Sequence, residues 1–181
     1  MPDDVERVLV GRELSRAVLA RQLLLERARV TVPAALERMG GLQAQYAPSM
    51  YIGLWSRVDR FRRADLTDAL ERRTVVQGTL LRATIHLVSA KDYWPLAIGV
   101  REGRRDWFAR VSRGGPTVDE LQRAVARLRE ALAGGPLRRA EIDRLLGAGF
   151  LGGVGMWLDL RAGAAVGHMG APAGRPLRRR R

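Results

Sequence analysis

The sequence of 181 residues contains no cysteine, only two histidines (His86 and His168), and no long apolar run. The absence of cysteine excludes a disulfide framework and thiolate metal sites, and two histidines are too few to hold zinc on their own. A membrane-spanning helix needs roughly eighteen consecutive apolar residues, which this chain does not have. The charged N-terminus also lacks the apolar core of a signal peptide. We therefore expect no metal, no membrane association and a cytoplasmic protein.

The 32 Lys and Arg residues outnumber the 19 Asp and Glu residues, and the formal net charge is +13. Such a charge favours a polyanionic partner such as DNA. Lys91 is the only lysine among 32 Lys and Arg residues, however, and the chain is rich in Ala and Gly, a bias that GC-rich codons also produce. Residues 161–181 hold six arginines and no acid. Charge alone thus leaves two interpretations open, a DNA-binding surface and a solvated arginine-rich surface.

Apolar spacing predicts helices in the first part of the chain. They cover residues 14–28, a short segment ending at Met39 before Gly40 and Gly41, a segment carrying Tyr51 to Val58, and residues 64–73. Two β-prone runs follow, at 75–81 and 84–88, and we interpret them as a hairpin. Short helices with tight turns followed by a hairpin are typical of a winged helix.

The succession of helix, turn and helix then begins again. After a Gly-Pro linker at 113–116, Thr117 and Glu120 fit a capping box, and two further helices are predicted, the second over 139–146. The predicted fold is therefore mainly α with a small β-hairpin (α+β), arranged as tandem winged helix-turn-helix units of which the second is incomplete. We divide the chain into a first winged-helix domain with its following helix (8–112), a partial second domain (117–160) and a disordered basic tail (161–181).

Two expectations concern the large apolar residues. Met156, Trp157 and Leu160 should lack packing partners, because the incomplete second unit ends beside them. The four tryptophans lie at helical spacing and are expected in the core. They are Trp55, Trp94, Trp107 and Trp157.

The candidate site is the segment with Gln43 and Gln45, between the second and third predicted helices. Gly40 and Gly41 permit a sharp turn and a close approach by a ligand, and Pro48 suits the first turn of the next helix. A glutamine amide is not basic, so it cannot act as a general base, but it can orient a water molecule through its oxygen and its NH₂ group. The alternative is that the two amides only cap the third helix or touch phosphate.

Four segments carry a resemblance to a known family. They are residues 41–49 (GLQAQYAPS), 51–57 (YIGLWSR), 76–88 (VQGTLLRATIHLV) and 155–160 (GMWLDL). Together they resemble the AlkZ/YcaQ family of bacterial winged-helix DNA glycosylases, over about residues 8–160. The resemblance implies that Gln43 and Gln45 hold the catalytic water. It also implies hydrolysis of the N-glycosidic bond of bulky N-alkylated or cross-linked purines, with Gln45 placing the chain in that branch of the family.

The resemblance further implies a longer protein, with three winged helices and a β-barrel. The codons of residues 164–173, read one base later, permit Pro-Pro-Ser-Gly-Thr-Trp-Glu-Arg-Arg, which resembles the family's continuation after Trp-Leu-Asp-Leu. We hypothesise that the native frame is lost near Arg161 and that the tail is frameshifted coding sequence. Resequencing of the gene tests this hypothesis.

The predicted partner is double-stranded DNA carrying alkylated or cross-linked purines, bound by a nucleoid-associated monomer without a protein partner. The candidate DNA-binding residues are Tyr46, Arg57, Arg82, Thr84, His86 and Lys91. For each of the three basic residues a solvated charge is the alternative, and for His86 it is a half-exposed position on the wing. Residues 147–152 fit G-x-G-x-x-G, but a helix precedes them and no acid follows in the tail, so nucleotide binding is rejected and no cofactor is expected.

Three interpretations of function remain open from the sequence. The first is a monofunctional DNA glycosylase that uses water and no metal. The second is a non-catalytic winged-helix DNA-binding protein, in which the two glutamines contact the DNA backbone. The third is an incomplete gene product that has neither activity.

Overall fold

The computed structural model describes residues 8, 10–112, 114–147, 149–162 and 177–178. The helices among them are α1 (Gly11–Arg21), α2 (Val32–Met39), α3 (Ala47–Trp55), α4 (Arg63–Glu71), α5 (Ala90–Gly99), α6 (Arg101–Val111), α7 (Val118–Ala131), α8 (Arg139–Leu146) and α9 (Phe150–Trp157). The strands are β1 (Leu42–Gln43), β2 (Val75–Thr79), β3 (Ile85–Ser89), β4 (Arg161–Ala162) and β5 (Leu177–Arg178). Short 3₁₀ turns cover Leu81–Ala83 and Leu132–Gly134. The prediction of a mainly α fold with a small β element is confirmed.

The sheet is built around the predicted hairpin. Strands β2 and β3 pair antiparallel from Val75 opposite Ser89 to Thr79 opposite Ile85, so the hairpin prediction is correct. Strand β1 pairs antiparallel with the other edge of β3, and β4 meets β2 at Gly78, giving the order β1-β3-β2-β4-β5. Strand β3 is therefore a central strand, and the segment that contains the two glutamines is part of the sheet.

Helices α2 and α3 precede the hairpin, and local signals mark both ends of α2. The Thr31 hydroxyl accepts a hydrogen bond from the Ala34 N–H at the start of α2, and Pro33 occupies the first turn. Gly40 closes α2 in the left-handed conformation with φ of 74°. These helices pack with α4 and the sheet into a first core. Its buried members include Leu36, Met50, Leu54, Leu66, Val75 and Leu87.

The first helix differs from its prediction. It spans Gly11–Arg21 instead of 14–28, because Leu23 takes a left-handed φ of 55° and the chain leaves the helix there. A little further on, Ala28 forms a parallel bridge with Val58. Contacts with the end of α3 thus outweigh the helical periodicity of residues 22–28. No residue of α1 is buried.

The C-terminal half forms a second core. Thr117 and Glu120 make the predicted capping box at the start of α7, and the apolar face of α7 packs on α8 and α9. The expectation that Met156, Trp157 and Leu160 lack packing partners is wrong, since Trp157 and Leu160 both pack against the second core. Met156 is buried, and Trp157 packs edge-to-face on Phe108 with ring centroids 5.8 Å apart. The apolar residues of α9 are therefore covered by α6 and α7.

The prediction that all tryptophans lie in the core is also wrong. The side chains of Trp55 and Trp107 are 54% and 44% exposed, whereas Trp94 and Trp157 are partly buried. Periodicity identifies a helix but does not decide which of its two apolar edges meets the core. In α3 the buried positions include Met50 and Leu54, and Trp55 instead stacks against the Arg27 guanidinium, 4.3 Å from the ring centroid.

An ion cluster joins the hairpin to the C-terminal helices. Asp159, just after α9, accepts hydrogen bonds from Arg104 Nη2 at 2.9 Å and from Arg101 Nη2 at 2.6 Å. Arg104 also donates to the backbone carbonyl of Thr79 at the end of β2. Because the Arg104 side chain is only 3% exposed, this cluster is a buried connection between the sheet and the second core.

The predicted boundaries at 112 and 117 stay predictions. Of the predicted basic tail, the structure describes only β4 and β5; residues 163–176 and 179–181 lie outside the described residues. Within the described ranges, no helix combines the length and the apolar character required to cross a bilayer.

Candidate functional site

The glutamine segment turns back sharply from α2 onto the sheet. Gly41, which follows Gly40, has a φ of 102°, a backbone conformation that residues with a side chain rarely adopt. A Cβ atom at Gly41 would lie 2.8 Å from Val88 Cγ1 and 3.3 Å from the Leu87 carbonyl oxygen. A glycine is therefore required here, both for the backbone conformation and for the close approach of the segment to β3.

Strand pairing holds the segment in register with β3. Leu42 lies opposite Leu87, and Gln43 lies opposite His86. The N–H of Ala44 then donates to the Ile85 carbonyl at 2.7 Å, and the Ala44 side chain is completely buried. The residue between the two glutamines is thus fixed against the sheet, which restricts where the two flanking amides can lie.

Gln45 is anchored by its side chain. Its Oε1 accepts a hydrogen bond from the Ile85 backbone N–H at 2.9 Å. A backbone N–H can only donate, so the oxygen of the amide must face β3. This leaves the Nε2 group and one lone pair of Oε1 for another partner, and the side chain is exposed.

Gln43 is exposed and more loosely held. Successive strand residues point to opposite faces, and Leu42 packs directly against Gly53 of α3 on the core side. Gln43 therefore projects away from the core. Its amide makes no hydrogen bond to any side chain or backbone group that the structure describes. Both glutamines are accessible to water, which is a condition for any role in hydrolysis.

His86 is 5% exposed, so the half-exposed position considered from the sequence is wrong. The reason is strand β1, which covers β3 on the edge that a two-stranded wing would leave open. His86 Nδ1 lies 3.0 Å from the Thr84 carbonyl oxygen and 3.4 Å from the Thr84 hydroxyl. A carbonyl accepts only, so this contact favours a proton on Nδ1 and leaves Nε2 as the acceptor in the neutral ring.

The other predicted DNA-binding residues lie in three places. Tyr46 is the N-cap residue of α3 and is 69% exposed. Arg82 and Thr84 lie at the turn of the hairpin, where Arg82 adopts a left-handed φ of 51°. Lys91 is in the first turn of α5, with its Nζ 3.8 Å from a Glu37 carboxylate oxygen. Their contact with DNA stays a prediction.

Arg57 has extensive contacts within the protein. Its Nε donates to the Gln22 carbonyl at 3.0 Å, and one Nη donates to the Gly53 carbonyl at 2.9 Å and to the Ser56 hydroxyl at 3.0 Å. Partial burial lowers the pKa of Arg57 below its ordinary value. These bonds connect the segment after α1 to the end of α3. A phosphate contact by Arg57, still a prediction, would therefore use the remaining Nη group.

Sequence reasoning gave no role to Gln77, which the structure brings to the site. This residue of β2 is 2% exposed, and its Nε2 donates to the Ala44 carbonyl at 3.2 Å. The signal in the sequence was an amide in an otherwise apolar β-prone run. Among the described residues, no group of three or more His, Cys, Asp or Glu side chains is placed to hold a metal ion.

A profile of the AlkZ-like DNA glycosylase family matches residues 36–175. The chain belongs to this family. A solved structure, the DNA glycosylase AlkZ of Streptomyces sahachiroi, matches with a TM-score of 0.70 at 16% sequence identity, over 89% of this chain and 47% of that chain. The present chain thus spans about half the length of that AlkZ. A search of curated proteins gave no match.

In this AlkZ-like chain the matched region contains both exposed glutamines and the buried Gln77. The arrangement offers hydrogen-bond acceptors and donors at an open surface and no ionisable group on either glutamine. Such groups can orient a water molecule but cannot remove its proton. Hydrolysis that relies on these two glutamines alone must therefore depend on a leaving group that is already activated.

Proposed function

We propose that this AlkZ-like chain is a DNA glycosylase that hydrolyses the N-glycosidic bond of alkylated or cross-linked purines. The water is held by Gln43 and Gln45, which act as catalytic residues. The observation that carries the proposal is the geometry of this pair. Gln45 is oriented by the Ile85 N–H, Gln43 immediately precedes Ala44, whose backbone is bonded to the sheet, and both glutamine side chains are exposed.

The chemistry of the leaving group explains why amides suffice. A purine alkylated at N7 or N3 carries a positive charge, and it leaves the sugar as a neutral base through an oxocarbenium-like transition state. The water is positioned on the face of the sugar opposite the base, where the Oε1 atoms of the two glutamines accept its hydrogens. After the water oxygen bonds to the sugar carbon, the proton that it loses passes to bulk water, to which both side chains are exposed. An undamaged purine would lack this activation, so the same site would discriminate against it.

DNA contacts are proposed for the residues around the glutamines. Tyr46 is exposed at the start of α3, beside Gln45, and can stack on or bond to the DNA. Arg82 and Thr84 at the hairpin turn, and Lys91 at the start of α5, can reach phosphates. Arg57 and the Nε2 of His86 complete the proposed set. We infer action on DNA in the cytoplasm, by a protein that functions as a monomer.

The alternative function is DNA binding without catalysis. It is favoured by one observation, that the Oε1 of Gln45 is already bonded to the Ile85 N–H at 2.9 Å. In that case Gln45 would serve the fold through its bond to Ile85, and Gln43 would contact the DNA backbone.

Base release from a duplex containing N7-methylguanine distinguishes the two functions. We expect the purified chain to release the base, and Gln43→Ala and Gln45→Ala to slow release by about 10²-fold while DNA affinity stays within about threefold. Gln122→Ala, an exposed amide on α7, is the matched control and should release base at the wild-type rate. Circular dichroism melting confirms that each variant is folded.

Two results would contradict the proposal. If the wild-type chain binds the duplex but releases no base, the non-catalytic alternative is correct. If both glutamine variants release base as fast as Gln122→Ala, the chain is a glycosylase but its water is held elsewhere.

A further inference from the structure

The buried amide of Gln77 lies directly behind the glutamine segment. Strand register places Gln77 opposite Leu87, which in turn lies opposite Leu42. These three side chains therefore share one face of the sheet, and Leu87 and Leu42 belong to the first core. Gln43 and His86 lie on the other face. Gln77 is thus a polar residue on the core side, beneath the segment that carries the two exposed glutamines.

We propose that Gln77 is a positioning residue that sets the separation of Gln43 and Gln45, an inference that rests on the proposed function. Its Nε2 holds the carbonyl of Ala44, the single residue between them. The N–H of Ala44 is held in turn by the Ile85 carbonyl. With both of its polar backbone groups bonded to the sheet, Ala44 is held in place, and the backbone positions from which the two glutamine side chains extend keep a fixed separation.

The chemistry of this contact requires a neutral donor of glutamine's length. Ala44 is completely buried. A buried carbonyl that receives no hydrogen bond destabilises the fold. Methionine would fill a similar volume but offer no N–H, and glutamate would place a carboxylate against the carbonyl oxygen. Of these three side chains only glutamine both fills the space and donates.

Gln77→Met tests the proposal on the whole chain. We expect the single-turnover rate of base release at saturating protein to fall by about tenfold or more, while the protein concentration at half-saturation changes by less than about threefold. The amide of Ile85, which donates to Gln45 Oε1, should exchange its hydrogen about tenfold faster, because the turn that holds Gln45 is loosened.

Val76→Ala is the matched control. Val76 is the neighbour of Gln77 on β2, but it faces a different core cluster with Leu80 and Tyr93. This variant weakens the same hairpin without touching Ala44. If Gln77 serves only stability, the two variants should slow base release equally once compared at equal loss of melting temperature. Equal slowing would overturn the proposal, as would an unchanged release rate in Gln77→Met.

The exchange measurement separates this inference from the proposed function. If the wild-type chain releases no base, the proposed function fails, and faster exchange at Ile85 in Gln77→Met but not in Val76→Ala still supports the positioning role. If the wild-type chain is active and exchange at Ile85 is unchanged in Gln77→Met, the positioning role fails and the proposed function stands.

Discussion

Replacing Asp159 with alanine removes the centre of the buried ion cluster. The carboxylate accepts hydrogen bonds from Arg104 at 2.9 Å and from Arg101 at 2.6 Å. Arg101 is 35% exposed and can turn to water, but Arg104 is 3% exposed and cannot. In Asp159→Ala the Arg104 guanidinium keeps the Thr79 carbonyl as an acceptor, and its Nε is already without a partner among the described residues. The variant therefore leaves a buried charge without its counter-ion.

The size of the effect follows from this burial. Removing one partner of a buried ion pair costs about 3–5 kcal/mol of unfolding free energy. Asp159 is itself 14% exposed, so we expect the lower end, about 3 kcal/mol. For a chain of this size each kcal/mol lowers the melting temperature by roughly 2–4 °C, which gives a decrease of about 6–12 °C.

Urea and thermal unfolding of the variant and a control measure this difference. Arg29→Ala breaks the ion pair with Asp59, in which the Arg29 side chain is 85% exposed, and it should cost less than about 1 kcal/mol. The double variant Arg104→Met with Asp159→Leu removes both charges and should recover at least about half of the loss. The reasoning is refuted if Asp159→Ala is no more destabilising than Arg29→Ala, or if the double variant is less stable than Asp159→Ala.

Two further predictions concern the turn and a helix cap. Gly41→Ala should lower the unfolding free energy by at least about 2 kcal/mol, because the φ of Gly41 is positive and the new Cβ would lie 2.8 Å from Val88 Cγ1. Urea unfolding measures the loss, and Gly134→Ala, whose new Cβ would meet no atom within 4 Å, is the control. The pKa of Glu120 is lowered, first by the hydrogen bond from the Thr117 backbone N–H and then by that from its hydroxyl. A lowered folded-state pKa stabilises the fold above the ordinary value of 4.5 and stops doing so as the pH falls through the folded-state value. Thermal unfolding should therefore show Glu120→Gln less stable than wild type near pH 6, with the difference disappearing in acid; a constant difference at all pH values would contradict this.

Elements with strong local signals were predictable from the sequence. Helix α2 begins at a capping threonine with a proline in the first turn and ends at Gly40, and α7 begins at the Thr117 capping box. In both cases residues within one turn of each other satisfy the free backbone groups of the helix end. The hairpin of β2 and β3 followed from β-prone residues in two adjacent runs.

Elements that depend on distant contacts were not predictable. The periodic pattern of residues 14–28 predicted one helix, but the chain turns at Leu23, and Ala28 then forms a bridge with Val58. The sequence also gave no indication that Leu42 and Gln43 form a strand. That strand makes β3 central and buries His86. Each of these outcomes depends on a partner roughly thirty residues or more away, which periodicity cannot specify.

The sequence by itself determined which residues are candidates for chemistry and the family to which the chain belongs, because a contiguous motif needs no tertiary contact to be recognised. Only the tertiary structure decided how those residues are held. Gln45 is oriented by an N–H that lies 40 residues away in the chain, and Ala44 is held by an amide 33 residues away. A hydrogen bond is directional and short, so the position of the two glutamine amides is a property of the assembled sheet and not of the motif.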